Sequence, residues 1–162
     1  MKYHNITKCD MLNGDGIRVV LWVSGCSHAC AGCHNKITWD ACSGLDFDQN
    51  AKDELFDALG KDYTSGITFS GGDPLFVGNR IEITNLAKEI KEKFPNKTIW
   101  LYTGYKFEEI ANLEVLKFID VLVDGEFVID LKDNNKKWAG STNQRVIDVP
   151  ATLRQNKIIL KD

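Results

Sequence analysis

Two rhythms of apolar residues alternate along this chain. Residues 17–23 form an apolar run of strand character, and residues 48–60 repeat at helical spacing, with Leu55, Phe56 and Leu59 on one face. Gly60 is suited to end that helix as its C′ residue. A short buried strand is predicted over 67–70. A strongly periodic helix over 80–94 follows, carrying Ile83, Leu86, Ala87 and Ile90 and stopped by Pro95. Residues 98–102 read as a third strand, 106–112 as a short helix and 121–123 as a fourth strand. Strand and helix in alternation predict an α/β fold, a parallel sheet with helices outside. A βα unit takes about 30 residues, so 162 residues hold roughly four or five of them. That falls short of an eight-unit barrel, and the expected architecture is an open partial (βα) barrel of mostly parallel strands.

In such sheets ligands bind at the carboxyl ends of the strands. A cysteine-rich loop follows the first predicted strand, Gly71-Gly72 the second, Thr103-Gly104-Tyr105 the third and Asp124-Gly125 the fourth. All four segments are therefore expected at one mouth.

Composition narrows the partners. With 43% hydrophobic residues the chain can bury one good core, so residues 1–162 are expected to form a single domain. A net charge of −3, with no basic block longer than Lys136-Lys137, gives no footprint for nucleic acid. No run of 18 apolar residues suggests a membrane span, and Met1-Lys2-Tyr3-His4 leads into polar residues rather than a signal peptide. An odd count of five cysteines agrees with a reducing cytoplasm.

The cysteines carry the chemistry. Cys26, Cys30 and Cys33 are spaced CxxxCxxC, with no fourth cysteine at cluster-like spacing. A [4Fe-4S] cluster that only carries electrons is usually held by four thiolates. Three would leave one iron open to a substrate or cofactor. Zinc is the competing reading, as a Cys3His site with His28 or His34. Structural zinc sites usually pair two ligand knuckles a dozen or more residues apart, whereas these candidates lie within nine positions. Cys9 or Cys42 as a fourth ligand would seal the cluster and leave an electron carrier, although a lone cysteine is more often a small apolar residue. Further on, Ser70-Gly71-Gly72-Asp73-Pro74 ends the second strand in a glycine pair, an acid and a proline. Its backbone groups are suited to grip an amino group or a carboxylate, and an ordinary β-turn is the plainer reading.

A CxxxCxxC triplet followed by a GGxP turn resembles the radical S-adenosylmethionine (radical SAM) superfamily. The resemblance extends over residues 13–145. Asn13-Gly14-Asp15-Gly16-Ile17-Arg18, Gly25-Cys26-Ser27-His28-Ala29-Cys30-Ala31-Gly32-Cys33-His34-Asn35, Ser70-Gly71-Gly72-Asp73-Pro74-Leu75, Asp124-Gly125-Glu126-Phe127 and Gly140-Ser141-Thr142-Asn143-Gln144-Arg145 resemble, in that order, the activating proteins of anaerobic ribonucleoside-triphosphate reductases. This resemblance implies a trimmed radical SAM core in which Cys26, Cys30 and Cys33 ligate a [4Fe-4S] cluster. It implies that Gly71 and Gly72 meet the methionine amino group of S-adenosylmethionine, with Asp73 and Pro74 shaping the turn. The backbone of Gly32, Cys33 and His34 would lie near the adenine, and Thr103 and Asp124 would add polar contacts from neighbouring strand ends.

The implied reaction is reductive cleavage of S-adenosylmethionine to a 5′-deoxyadenosyl radical, which takes a hydrogen from a glycine of the large reductase subunit. A reduced flavodoxin-like donor and a homodimer are implied as well. Two departures stand out. Gly32 replaces the aromatic residue that many radical SAM proteins carry before the third cysteine, and Asp73 replaces their glutamate. Other readings are a radical SAM enzyme acting on a small molecule and a non-catalytic iron–sulfur or zinc module. His28 and His34 are read either as tuning the cluster or as solvated loop residues, and the four tryptophans as core or interface.

Overall fold

A computed structural model describes residues 1–162. Its strands are β1 (Lys2–Asp10), β2 (Arg18–Val23), β3 (Leu45–Asp46), β4 (Gly66–Gly71), β5 (Thr98–Tyr102), β6 (Val121–Asp124) and β7 (Arg145–Asp148). The helices are α1 (Gln49–Leu59), α2 (Arg80–Lys93), α3 (Phe107–Ile110) and α4 (Val149–Gln155). One seven-stranded sheet has the order β3-β1-β2-β4-β5-β6-β7. Its centre, β2-β4-β5-β6, is parallel, and β1 and β7 add antiparallel strands at its flanks. The sheet stays open, as expected of a partial barrel.

Helix boundaries follow local chemistry. Asp48 caps α1 by accepting from the Ala51 N–H, and Ala51, Leu55, Ala58 and Leu59 are its buried residues. Phe56 is half-buried and packs edge-on against Phe94, 5.9 Å between ring centroids. Gly60 ends α1 in a right-handed conformation (φ −71°), so its role needs no glycine-specific backbone. Asp148 caps α4 in the same way as Asp48, with Pro150 in the first turn. Ile83, Leu86, Ala87 and Ile90 of α2 join Val19, Leu21, Phe69, Ile99 and Leu101 in the main core, which fills the helical side of the sheet. The opposite face carries a smaller cluster of Trp100, Val121 and Val123, with Tyr102 and Trp138 against it.

That second face is anchored by Arg18, whose side chain is wholly buried without an acidic partner in contact. All five of its N–H groups are used, to Thr68 Oγ1, Asp15 O, Thr98 Oγ1, Ile67 O and Thr98 O at 2.7–3.0 Å. The Trp100 ring lies 5.4 Å from the guanidinium carbon. Burial pulls the Arg18 pKa down to about 10, which leaves it charged at neutral pH. The guanidinium thus ties together the amino ends of β2, β4 and β5. Arg18→Met is expected to strand those buried acceptors and destabilise the fold by about 1–3 kcal/mol. Chemical denaturation should show the lower midpoint.

Candidate iron–sulfur and cofactor site

Parallel register brings the carboxyl ends of β2, β4, β5 and β6 to one edge, with Val23 opposite Gly71 and Tyr102 opposite Val123. The loop carrying Cys26, Cys30 and Cys33 leaves β2 there. Its two ends are tied by backbone bonds from Gly25 N to Thr38 O (2.7 Å) and from Cys26 N to Trp39 O (3.0 Å). All three thiols are half-buried and free, and Cys9 and Cys42 are exposed elsewhere. Burial pushes the Cys26 and Cys30 thiols up, partly offset by backbone N–H groups of His28 and Ala29 at Cys26 and of Phe127 at Cys30. The Asn35 N–H approaches the Cys33 sulfur at 3.4 Å.

This donor set suits a cluster. Three thiolates add negative charge to the metal body, and backbone N–H groups aimed at the sulfurs offset it. Binding must also displace the thiol protons, which burial otherwise holds in place. A Cys3His zinc site through His28 is disfavoured, because both His28 ring nitrogens are committed: Nε2 to Asp73 (2.7 Å) and Nδ1 to Glu126 (2.9 Å). His34 is exposed, with its ring 6.1 Å from that of Phe127. No three His, Cys, Asp or Glu side chains converge tightly enough for a single metal ion.

Gly71 and Gly72 pack against protein backbone. Gly71 has φ +102°, and a Cβ there would lie 2.6 Å from Val23 N; a Cβ on Gly72 would lie 2.6 Å from Gly25 O and 2.9 Å from Thr38 O. The glycines therefore let the turn dock on β2 and the cysteine loop. The Gly72 and Asp73 N–H groups are taken by Val23 O (2.8 Å) and Gly25 O (2.7 Å). What this turn can offer an ammonium group is thus carbonyl oxygen, and those two N–H groups are not free to grip a carboxylate. Gly32 has φ +75°, and a Cβ there would lie 2.8 Å from Ile129 Cδ1. The positive φ is what favours glycine here, since Ile129 Cδ1 is the end of a side chain that can move aside.

The carboxylates face inward to protein partners. Asp73, 1% exposed, accepts from Leu75 N (2.8 Å), Thr103 Oγ1 (2.9 Å), Gly104 N (3.0 Å) and His28 Nε2. Pro74 sits in the same turn, before the buried Leu75. Thr103 spends its hydroxyl proton on Asp73. Asp124 accepts from Phe107 N (2.7 Å) and from Arg145 at 2.5 and 3.0 Å, and Arg145 also reaches Glu108 at 2.8 Å. The Arg145 guanidinium holds the Glu108 carboxyl down to about 2, while Asp124 and then Glu108 push the Arg145 pKa up. Thr103 and Asp124 therefore shape the mouth through the loops they hold.

A cavity of about 500 Å³ opens beside the cysteine loop, lined among others by Cys33, Ser70, Tyr102, Phe127 and Trp138. Sequence reasoning missed these last four as lining residues. Ser70 and Tyr102 lie on predicted strands, where the alternation of faces is the available signal. Phe127 and Trp138 come from a loop segment without periodicity. Segment 128–144 folds back because Gln144 Oε1 accepts from Gly140 N (2.9 Å), Gln144 Nε2 donates to Gly125 O (3.0 Å) and Asn143 Nδ2 donates to Glu126 O (2.8 Å). A second cavity, about 510 Å³, is lined by Asp15, Thr98, Asp120 and Arg154 and by none of the cysteines.

Comparison with known proteins agrees with this arrangement. The 4Fe-4S single cluster domain family matches residues 12–147. An anaerobic ribonucleoside-triphosphate reductase-activating protein of Enterobacteria phage T4 is 51% identical over 146 residues, covering 90% of this chain and 93% of the relative. The protein of the same name from Escherichia coli K12 is 45% identical over 150 residues, covering 90% and 97%. That from Pasteurella multocida is 40% identical over 151 residues, covering 89% and 95%. With a three-cysteine loop, a GGDP turn docked on it and likeness along almost the whole length, this chain belongs to the family of anaerobic ribonucleoside-triphosphate reductase-activating proteins.

Proposed function

We propose that this protein is the activase of an anaerobic ribonucleoside-triphosphate reductase, acting as one radical SAM domain on a glycine of the large reductase subunit. The observation that carries the reading is the cysteine loop itself. It offers three thiols for a four-iron cluster and is docked directly on the GGDP turn beside a cavity of cofactor size.

In this reading Cys26, Cys30 and Cys33 ligate a [4Fe-4S] cluster and leave one iron open. The Gly71-Gly72 turn meets the methionine amino group, the backbone of Gly32, Cys33 and His34 borders the adenine, and Asp73, Pro74, Thr103 and Asp124 hold the surrounding loops in place. When bound, the reduced cluster would supply one electron to the C5′–S bond of S-adenosylmethionine, which would split into methionine and a 5′-deoxyadenosyl radical able to take a glycine Cα hydrogen and leave 5′-deoxyadenosine and a glycyl radical. The residues of this chain orient the reactants and limit water near the radical, with Phe127 and Trp138 as the apolar wall. Backbone N–H groups at the cysteine sulfurs tune how readily the site accepts an electron.

The donor is read as a reduced flavodoxin-like protein, the assembly as a homodimer that docks on the reductase, and the compartment as the cytoplasm. Five free thiols are compatible with a reducing environment, and no helix is long and apolar enough to cross a membrane. The test is anaerobic incubation of the reconstituted, reduced protein with the reductase and S-adenosylmethionine, followed by electron paramagnetic resonance (EPR). A glycyl radical on the large subunit, with 5′-deoxyadenosine formed alongside it, is the expected outcome. 5′-Deoxyadenosine without a protein radical would overturn the reductase as target and favour a small-molecule substrate.

A further inference from the structure

Residues 27–34 contain only one backbone–backbone hydrogen bond of their own, Cys33 N to Cys30 O at 3.2 Å. A cluster bound to so lightly tied a loop would have no fixed attitude toward the cofactor turn unless side chains hold it. One side chain does. His28 lies between the first two cysteines, and its side chain is 10% exposed. Its Nε2 faces Asp73 Oδ2 of the GGDP turn at 2.7 Å, and its Nδ1 faces Glu126 Oε1 of the loop after β6 at 2.9 Å. The loop after β5 supplies the floor. The Tyr105 ring stands edge-on to the imidazole, 4.6 Å between centroids, and a Cβ on Gly104 would lie 2.5 Å from it. The loops following three successive parallel strands thus converge on a single ring in the cysteine loop.

We propose that His28 is a positioning residue that sets the register of the cysteine loop against the Gly71-Gly72 turn, and so decides how S-adenosylmethionine meets the open iron. The proposal rests on the radical SAM reading above. Geometry gives the reason for the residue type. Both neighbours are carboxylates, which accept hydrogen bonds when ionised, and they stand at the two nitrogens of one flat ring. Imidazole is the side chain that places a ring nitrogen at each while keeping a face for Tyr105. Asp73 is locked in turn by Thr103, Gly104 and Leu75, so the anchor on the turn side is rigid. His28 is thereby distinguished both from a solvated loop histidine and from a metal ligand.

His28→Phe keeps a ring against Tyr105 and Gly104 while removing both hydrogen bonds. With all three cysteines retained, the variant is expected to take up native amounts of iron and sulfide. Its affinity for S-adenosylmethionine, and the change that the cofactor causes in the EPR spectrum of the reduced cluster, are expected to weaken on the order of 10- to 100-fold. Asp73→Asn should weaken both in the same direction, and the double variant should lose less than the sum of the two single losses, because the two residues share the contact between His28 Nε2 and Asp73 Oδ2. Native affinity and a native spectral change in His28→Phe would overturn the proposal. So would loss of iron together with a lowered melting temperature, which would assign His28 to folding or cluster assembly. The native protein is measured alongside. If its own spectrum ignores S-adenosylmethionine, the radical SAM reading has failed, an outcome separate from a failure at His28.

Discussion

Replacing Cys30 with alanine should remove both stable iron binding and S-adenosylmethionine cleavage. The loop would keep two thiols; Cys9 lies on β1 beside the amino end of β2, away from the loop, and Cys42 is exposed in the turn before β3. A cluster bound through two ligands exchanges readily with solvent, and no other group of this chain can deliver a low-potential electron. The expected fall in 5′-deoxyadenosine formation is at least on the order of 10³-fold, equivalent to about 4 kcal/mol of barrier. Iron and sulfide analysis, with chromatographic detection of the nucleoside, checks both halves. Cys9→Ala and Cys42→Ala should behave as the native protein. A requirement for either one would mean that a fourth thiolate closes the cluster, which would return the protein to the electron-carrier class.

The second large effect is expected at Gly72. Its missing Cβ points at Gly25 O and Thr38 O, both backbone atoms of the segment that frames the cysteine loop, at 2.6 and 2.9 Å. Neither atom can yield as the end of a flexible side chain would. Gly72→Ala must push the GGDP turn and the cysteine loop apart. Overpacking of this kind costs about 1–3 kcal/mol of stability. The larger consequence falls on reactivity, since misplacing reacting groups by about 1 Å can cost on the order of 10²-fold. Cleavage of S-adenosylmethionine is expected to drop by that factor while iron content stays native. Gly78→Ala is the control: a Cβ there would meet only the Phe76 ring at 3.3 Å or more, so near-native activity is expected. Native activity in Gly72→Ala would show that the turn does not set cofactor geometry.

Local pattern carried the central architecture. Residues 98–102 were legible as a strand because an apolar run ends between turn residues, and 80–93 as a helix because four apolar residues recur on one face before a proline. The flanking strands were not legible. β1 buries only Tyr3 and Ile6, and a register shift between Tyr3 and Asn5 breaks its period of two, so it reads as polar loop. β7 has four residues, and its pairing with β6 is fixed by Arg145 reaching Asp124, 21 positions away.

The candidate site divides along the same line. The order of the candidate motifs and their places at the strand ends followed from spacing within short segments, because a CxxxCxxC loop and a glycine turn are local properties of the chain. What each side chain faces did not follow. Thr103 and Asp124 turn toward protein partners, the glycines of the turn make room for backbone, and His28 is gripped by residues 45 and 98 positions away. Those contacts exist because parallel pairing aligns β2, β4, β5 and β6 and brings their following loops within hydrogen-bonding distance. A periodic pattern can predict each strand, but the register between strands comes from packing the whole sheet at once.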